Sequence, residues 1–291
     1  MHKRPRDNIA ALLLTAPFLA VYGLLFLYPT LQLVFVSFTD AQLTAPGAFV
    51  GLQNYARLFH DFRFTTSVVN SLYFVLMTAI PSTLLGLAFA LITVRLKGFL
   101  QPLVLALFFL PYVLPVTTVG YIWSWLLDYP NGLLQGPIAL FVGHRMHVLS
   151  TVSWILPTVA VVTVWWTTGF NILLFLAGLR AISPELMEAA RIDGASRWVA
   201  FRVITWPLIW PVTALVLTIQ LIIQVKLFDL LYLYVGGGEV NATLVLLQYI
   251  YDLGFTRDQA GYAAAVAVAM FVIVACMSVV QFTALRARSR A

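Results

Sequence analysis

The sequence predicts an all-α fold: one transmembrane domain over residues 1–291, a polytopic bundle of six membrane helices with both termini in the cytoplasm. Three observations predict it. Of the 291 residues, 62% are hydrophobic and only 10% charged, too little charge to cover a soluble domain of that length. Six stretches lack Asp, Glu, Lys and Arg altogether, at 9–39, 64–94, 98–127, 146–179, 203–225 and 259–285. Each holds the ~20 apolar residues that one helix needs to cross the hydrocarbon core, and none comfortably holds two. The basic residues then divide unevenly between the two sides. With the N-terminus inside, Lys3, Arg4, Arg6, Arg95, Lys97, Arg180, Arg191, Arg197, Arg202, Arg286, Arg288 and Arg290 are cytoplasmic, whereas Arg57, Arg63, Arg145, Lys226 and Arg257 lie outside. An inward excess of this kind sets orientation.

Trimmed at their interfacial ends, the spans run 9–39, 66–94, 98–127, 150–179, 203–226 and 260–285, with a cytoplasmic loop at 180–202. The first follows a basic start like that of a signal peptide. It is too long for such a segment and has no convincing small-residue cleavage site, so it is expected to remain as an anchor. Pro81, Pro111, Pro115, Pro157, Pro207 and Pro211 fall within spans. Membrane helices tolerate them because neighbours or water satisfy the freed carbonyls. Strands are excluded because none of these stretches alternates polar and apolar residues.

Composition also excludes functions. The net charge of +6 does not form a patch for nucleic acid, because the charges sit at the ends of apolar runs. Cys276 is the sole cysteine, and His2, His60, His144 and His147 lack metal-ligand spacing. No Gly-x-x-x-x-Gly-Lys-Ser/Thr loop occurs, so the chain lacks that means of holding a nucleotide. The spans contain no paired carboxylates and no nucleophile–base set.

The loop is the most specific stretch. It reads Leu179-Arg-Ala-Ile-Ser-Pro-Glu-Leu-Met-Glu-Ala-Ala-Arg-Ile-Asp-Gly-Ala-Ser-Arg-Trp198 and continues to Ile204 and Pro207. Ser183, Pro184 and Glu185 make a helix start: a capping hydroxyl, a proline at the first position and an acid at the positive end of the dipole. Leu186, Ala189 and Ala190, with Asp193 a turn later, share a face. Gly194 allows a sharp break, and Ser196 can cap a second short helix carrying Trp198 and Phe201. Small alanines edged by charges suit close approach of another protein.

This loop resembles the EAA loop of binding-protein-dependent importer permeases of the ABC class. Glu188, Ala189, Ala190, Gly194, Ile204 and Pro207 occupy that pattern, and Asp193 and Ala195 fit its common extension. The resemblance covers nearly the whole chain. It includes Tyr28-Pro29, Ser37-Phe38, the stretch from Phe49 to Phe59, Phe228-Asp229, Gly236–Gly238, Ala242-Thr243 and Tyr249-Ile-Tyr251. These are similar to the maltose and glycerol-phosphate type of carbohydrate permease, and in particular to the larger maltose permease half. Glu239 stands where that family usually has proline, and the large periplasmic insertion is absent.

The resemblance implies a partner assembly in the inner membrane of a bacterium: a second, homologous permease, two copies of a cytoplasmic ATPase that hold ATP and Mg, and a soluble solute-binding protein outside. It implies that Glu185, Glu188, Ala189, Ala190, Asp193, Gly194 and Ala195 dock the ATPase. The chain itself is expected to bind no cofactor and to catalyse no reaction, moving a sugar, oligosaccharide or related glycoside inward.

Polar side chains inside spans are expensive and call for a function. Gln220 and Gln224 lie four apart on one face of the fifth span, with Lys226 near its outer end. The fourth carries Trp165, Trp166, Thr167, Thr168, Phe170 and Asn171. Aromatic faces with amides and hydroxyls suit a sugar. The resemblance places Thr167, Phe170, Gln220 and Gln224 along the solute pathway, with Asn171 and Lys226 beside them and Leu227 where the family has asparagine. Two other readings stay open: the glutamines hold helices together, and Lys226 either reads an anionic solute, pairs with Asp229 or snorkels to the interface. A stand-alone secondary transporter or channel is the rival function, but it calls for ionisable groups at span centres, where this chain has none.

Overall fold

The computed structural model describes residues 5–235 and 243–288. The glycine turn 236–238, Glu239, Asn241, Ala242 and the terminal bases Lys3, Arg4 and Arg290 lie outside the described residues. The chain runs through α1 (Pro5–Tyr22), α2 (Tyr28–Val36), α3 (Gln53–Leu58), α4 (Phe62–Thr93), α5 (Leu100–Val113), α6 (Val116–Leu126) and α7 (Gln135–Val142). It continues with α8 (Val152–Arg180), α9 (Pro184–Ile192), α10 (Arg197–Ala200), α11 (Trp206–Val225), α12 (Asp229–Val235), α13 (Leu246–Tyr251) and α14 (Ala260–Arg288). Single wider turns of π type join α1 to α2, α10 to α11, and follow α13. The fold is all-α. Five helical stretches are long and apolar enough to cross a membrane among the described residues, and six if one bent pair counts as a span.

That pair is where the structure departs from the expected spans. The stretch 98–127 is not one rod: α5 and α6 meet at 100°. Leu114 is extended (φ −69°, ψ 138°) before Pro115, because the proline ring crowds a preceding helical residue and offers no N–H to continue the ladder. A second difference lies in the loop. Its second short helix is not a separate surface element, since α10 passes through Phe201–Thr205 directly into α11.

Contacts sort the chain into two compact units. The first takes the described residues up to Asp61 with Tyr249–Phe271, and the second takes Phe62–Gln248 with the helix from Val272 onward. In the first unit, no residue of Leu14–Val36 is fully buried. The segment after it is knotted by polar bonds. Asn54 Nδ2 donates to the Ser37 and Thr39 carbonyls at 2.9 and 2.8 Å, Tyr55 and Ser37 share a 2.6 Å bond, and Phe38 packs on Phe49 and Tyr55. Asp61 accepts from both Tyr249 and Tyr262, and the Arg57 guanidinium lies 3.9 Å over the Tyr262 ring.

The second unit is built on α4 packed along α8, with α11 and α5 against the same pair. Half of the twelve buried residues of α4 are small: Ser67, Ser71, Ala79, Ser82, Gly86 and Ala90. Small residues let membrane helices approach until their backbones touch. A Cβ on Gly86 would lie 2.5 Å from the Cβ of Asn171, and one on Gly169 would overlap the Phe108 carbonyl. Two apolar cores flank these close approaches. One gathers Phe74, Val119, Val159, Leu230 and Leu231, the other Leu87, Ile172, Phe175, Ile209 and Val216. In-span threonines such as Thr78, Thr83, Thr163 and Thr213 donate to the carbonyl four residues back, so these hydroxyls keep a partner in an apolar medium.

Candidate functional site

The loop after α8 begins from a fixed point. Arg180 Nη2 donates to Gln101 Oε1 at 2.8 Å, and Gln101 Nε2 donates to the Thr93 carbonyl at 2.9 Å. The ends of α4, α5 and α8 are thereby tied together where the loop leaves. Ser183 Oγ then caps α9 by accepting from the Glu185 N–H at 3.3 Å, with Pro184 in the first turn. At the other end, Gly194 N–H bonds to the Arg191 carbonyl at 3.1 Å and Ala195 N–H to the Ala190 carbonyl at 2.9 Å. With Gly194 at φ +75°, this is a complete Schellman stop, and glycine takes that backbone region without a Cβ clash. Ser196 Oγ caps the next helix on Val199 N–H.

The geometry presents α9 outward. None of its residues is buried. Glu185, Glu188, Ala189, Asp193 and Gly194 are exposed, and Ala190 and Ala195 half-buried. Sequence reasoning missed Ile192, which is 87% exposed in the last turn. An isoleucine followed by Asp-Gly at a helix stop was the available signal, since a helix packed on its own protein would turn it inward. Exposed Leu186 and Trp198 add to the apolar surface. Acids beside an uncovered apolar and alanine surface can receive another protein by close contact plus charge.

The in-span candidates divide. Four of them form one buried ladder across three helices. Gln224 Nε2 donates to Gln220 Oε1 at 2.8 Å, Gln220 Nε2 to Asn171 Oδ1 at 2.7 Å, and Asn171 Nδ2 to the Ser82 carbonyl at 3.0 Å. Ser82 Oγ and Thr167 Oγ1 meet at 3.3 Å, and Thr167 also donates to the Thr163 carbonyl. Gln220 and Asn171 are fully buried. Ser82, on α4, was not singled out from the sequence, where one serine among many gives no signal. The ladder has one loose end: Gln224 Oε1 is buried with no partner, as are the indole N–H groups of Trp123 and Trp166.

Phe170 and Lys226 are not in the ladder. Phe170 stacks on Tyr112 of α5, with centroids 4.9 Å apart and planes at 14°. Lys226 is exposed where α11 ends. Leu227 joins the apolar core with Leu230 and Leu231.

Comparison with known proteins agrees with this architecture. A crystal structure of a bacterial alginate ABC transporter, in complex with an alginate pentasaccharide-bound periplasmic protein, contains a chain that superposes with a TM-score of 0.84. It is 22% identical, and the match covers 99% of each chain, which shows the shared fold. The sulfoquinovosyl glycerol transport system permease protein SmoG of Agrobacterium fabrum is 30% identical over 97% of this chain and 92% of its own length. The trehalose/maltose transport system permease protein MalF of Thermococcus litoralis is 33% identical over 94% and 93%. Residues 82–289 match the family described as the binding-protein-dependent transport system inner membrane component, a range that holds the α9 loop and every ladder residue named above. By this match and by full-length likeness to permeases, the chain belongs to that family: it is a multi-pass inner-membrane permease subunit of an ABC importer.

Proposed function

We propose that this permease moves a carbohydrate or related glycoside into the cytoplasm, driven by ATP hydrolysis on a separate subunit that docks on α9. The observation that carries the docking is the outward face of α9, with free acids, small alanines and exposed Ile192 held at a fixed angle by the Gly194 stop. Two ATPase copies, each holding ATP and Mg, and a second permease complete the assembly. Both termini lie in the cytoplasm, in line with the basic excess on that side. The chain catalyses no reaction of its own. The carbohydrate class is supported by what SmoG and MalF are named for, and by side chains that suit sugar hydroxyls. Gln224 Oε1 and the Trp123 and Trp166 N–H groups are buried and unpaired, and a buried polar group without a partner gains most from a ligand that supplies one. Phe170 and Trp165 offer aromatic faces, and Lys226 lies at the end of α11.

Reconstitution tests this. Proteoliposomes holding the chain with its cognate permease, ATPase and binding protein should take up a labelled disaccharide or glycoside only with ATP inside and binding protein outside. ATP hydrolysis, or ion-driven uptake, by this chain alone would overturn the assignment of a separate motor.

A further inference from the structure

In the second unit, a cleft of about 650 Å³ opens between the end of α4 and the turn that joins α9 to α10. Four cations line it, Arg95, Lys97, Arg191 and Arg197, and no acid does. All four are exposed, and none of their side chains makes a hydrogen bond or ion pair among the described residues. Like charges grouped around one opening repel one another. A ligand with a compact negative charge and several acceptor oxygens removes that repulsion and gains charge-assisted hydrogen bonds. Thr205 contributes a hydroxyl to the lining, and Leu91, Val94, Met187, Ala200 and Phe201 make the remaining wall apolar.

The surroundings narrow the ligand. Trp198, Phe201, Trp206 and Trp210 follow one another ring to ring, at centroid spacings of 5.6, 6.2 and 5.3 Å. Tryptophans gather at the depth of lipid headgroups, and this run begins at the cleft, where Phe201 belongs to both. Phe99 and Leu100, just beyond Lys97, and Val199 and Val203, on either side of Phe201, are exposed. A soluble anion would use the cations and leave the apolar wall and aromatic rim idle. A lipid uses both.

We propose that this cleft is a binding site for the headgroup phosphate of an anionic phospholipid, with its acyl chains lying on the exposed apolar residues beside it. Basic pockets at the ends of membrane helices suit such headgroups. The site needs only that this end of the bundle lies at a membrane surface, and it holds whether or not α9 docks an ATPase.

The test is native mass spectrometry of the purified full chain, incubated with phosphatidylglycerol, phosphatidylcholine or glycerol 3-phosphate. Phosphatidylglycerol should stay bound through detergent exchange, and phosphatidylcholine should not. The double variant Arg95→Gln, Arg197→Gln should weaken phosphatidylglycerol binding about 30-fold, since each surface cation contributes about a fivefold effect. Arg145→Gln, placed before the opposite end of α8, should leave it unchanged. Equal retention of the two lipids, or unchanged retention in the double variant, would overturn the proposal. Glycerol 3-phosphate binding as tightly as the lipid would also overturn it, giving the site to a free phosphate. So would loss of ATPase co-purification in the variant with lipid binding intact, which would give the cations to protein docking. If the double variant does not fold, salt decides on the wild type. Phosphatidylglycerol retention must fall steeply with ionic strength, and salt-independent retention overturns the site.

Discussion

The α9 loop and the amide ladder use the same kinds of side chain to opposite ends. In the loop, acids stand in the open, and the hydrogen bonds of Ser183, Gly194 and Ser196 serve only to set where its helices start and stop. In the ladder, Gln220, Asn171 and Thr167 are buried, and all but the last acceptor of Gln224 bond to one another or to backbone. The difference teaches that a polar residue within a span is a weaker sign of ligand contact than an exposed one. Apolar surroundings compel it to find a partner, and a neighbouring helix is the nearest source. Water makes no such demand on the loop, so its charges stay available to another protein.

The largest expected effect breaks the loop side of this contrast. Gly194→Pro should abolish uptake while leaving membrane insertion intact, because proline is locked near φ −65° and cannot occupy the +75° that the stop requires. Glu188→Lys should do the same by reversing a charge-assisted contact of roughly 1.5–3 kcal/mol. Transport assays and co-purification of the ATPase check both. Full assembly and full uptake in the two variants would remove α9 from docking.

Next in size is the packing that sets the ladder. Gly169→Ala should cost about 1–3 kcal/mol of stability, because the added methyl overlaps the Phe108 backbone and forces α5 from α8. Thermal unfolding in detergent measures it, and an unchanged melting temperature would show that the two helices are not in close contact.

The ladder itself separates into middle and end. Gln220→Leu leaves both the Asn171 acceptor and the Gln224 donor unpaired, and should cost about 1–2 kcal/mol. Gln224→Leu strands only the Gln220 acceptor and removes an acceptor that was already idle, and should cost less, about 0.5–1 kcal/mol. Uptake sharpens the comparison. If Gln224 meets solute, its variant loses transport out of proportion to its small loss of stability. Equal destabilisation by the two substitutions, with transport scaling to stability, would make both residues fasteners only. Lys226→Gln should have the smallest effect on stability, being exposed at a helix end. Loss of anionic but not neutral solutes would make it a reader of solute charge, and no change for any solute would return it to the interface.

Much of this protein was legible along the chain, because the deciding forces act locally or sum over a run. Transfer of some twenty apolar residues into lipid does not depend on their order, so composition alone marked the membrane stretches. Ser183, Pro184, Gly194 and Ser196 act on backbone groups within four residues, so the loop's starts and stop could be read one residue at a time. The hinge at Pro115 was within reach too, but its angle was not, since a proline disturbs a helix without saying which way the next one leaves.

What only the tertiary structure decided is which side of each helix faces which neighbour. Helix α8 is apolar all round, and a helix of that kind carries no stripe to announce its buried face. Its rotation is set by steric contact: Gly169 against the Phe108 backbone and Asn171 against Gly86. That rotation carries Asn171 to Gln220, 49 residues away, and turns Phe170 onto Tyr112 instead of into the ladder. Sequence determined that these polar groups sit at membrane depth and need partners. Close packing, which depends on shape and not on hydropathy, chose the partners.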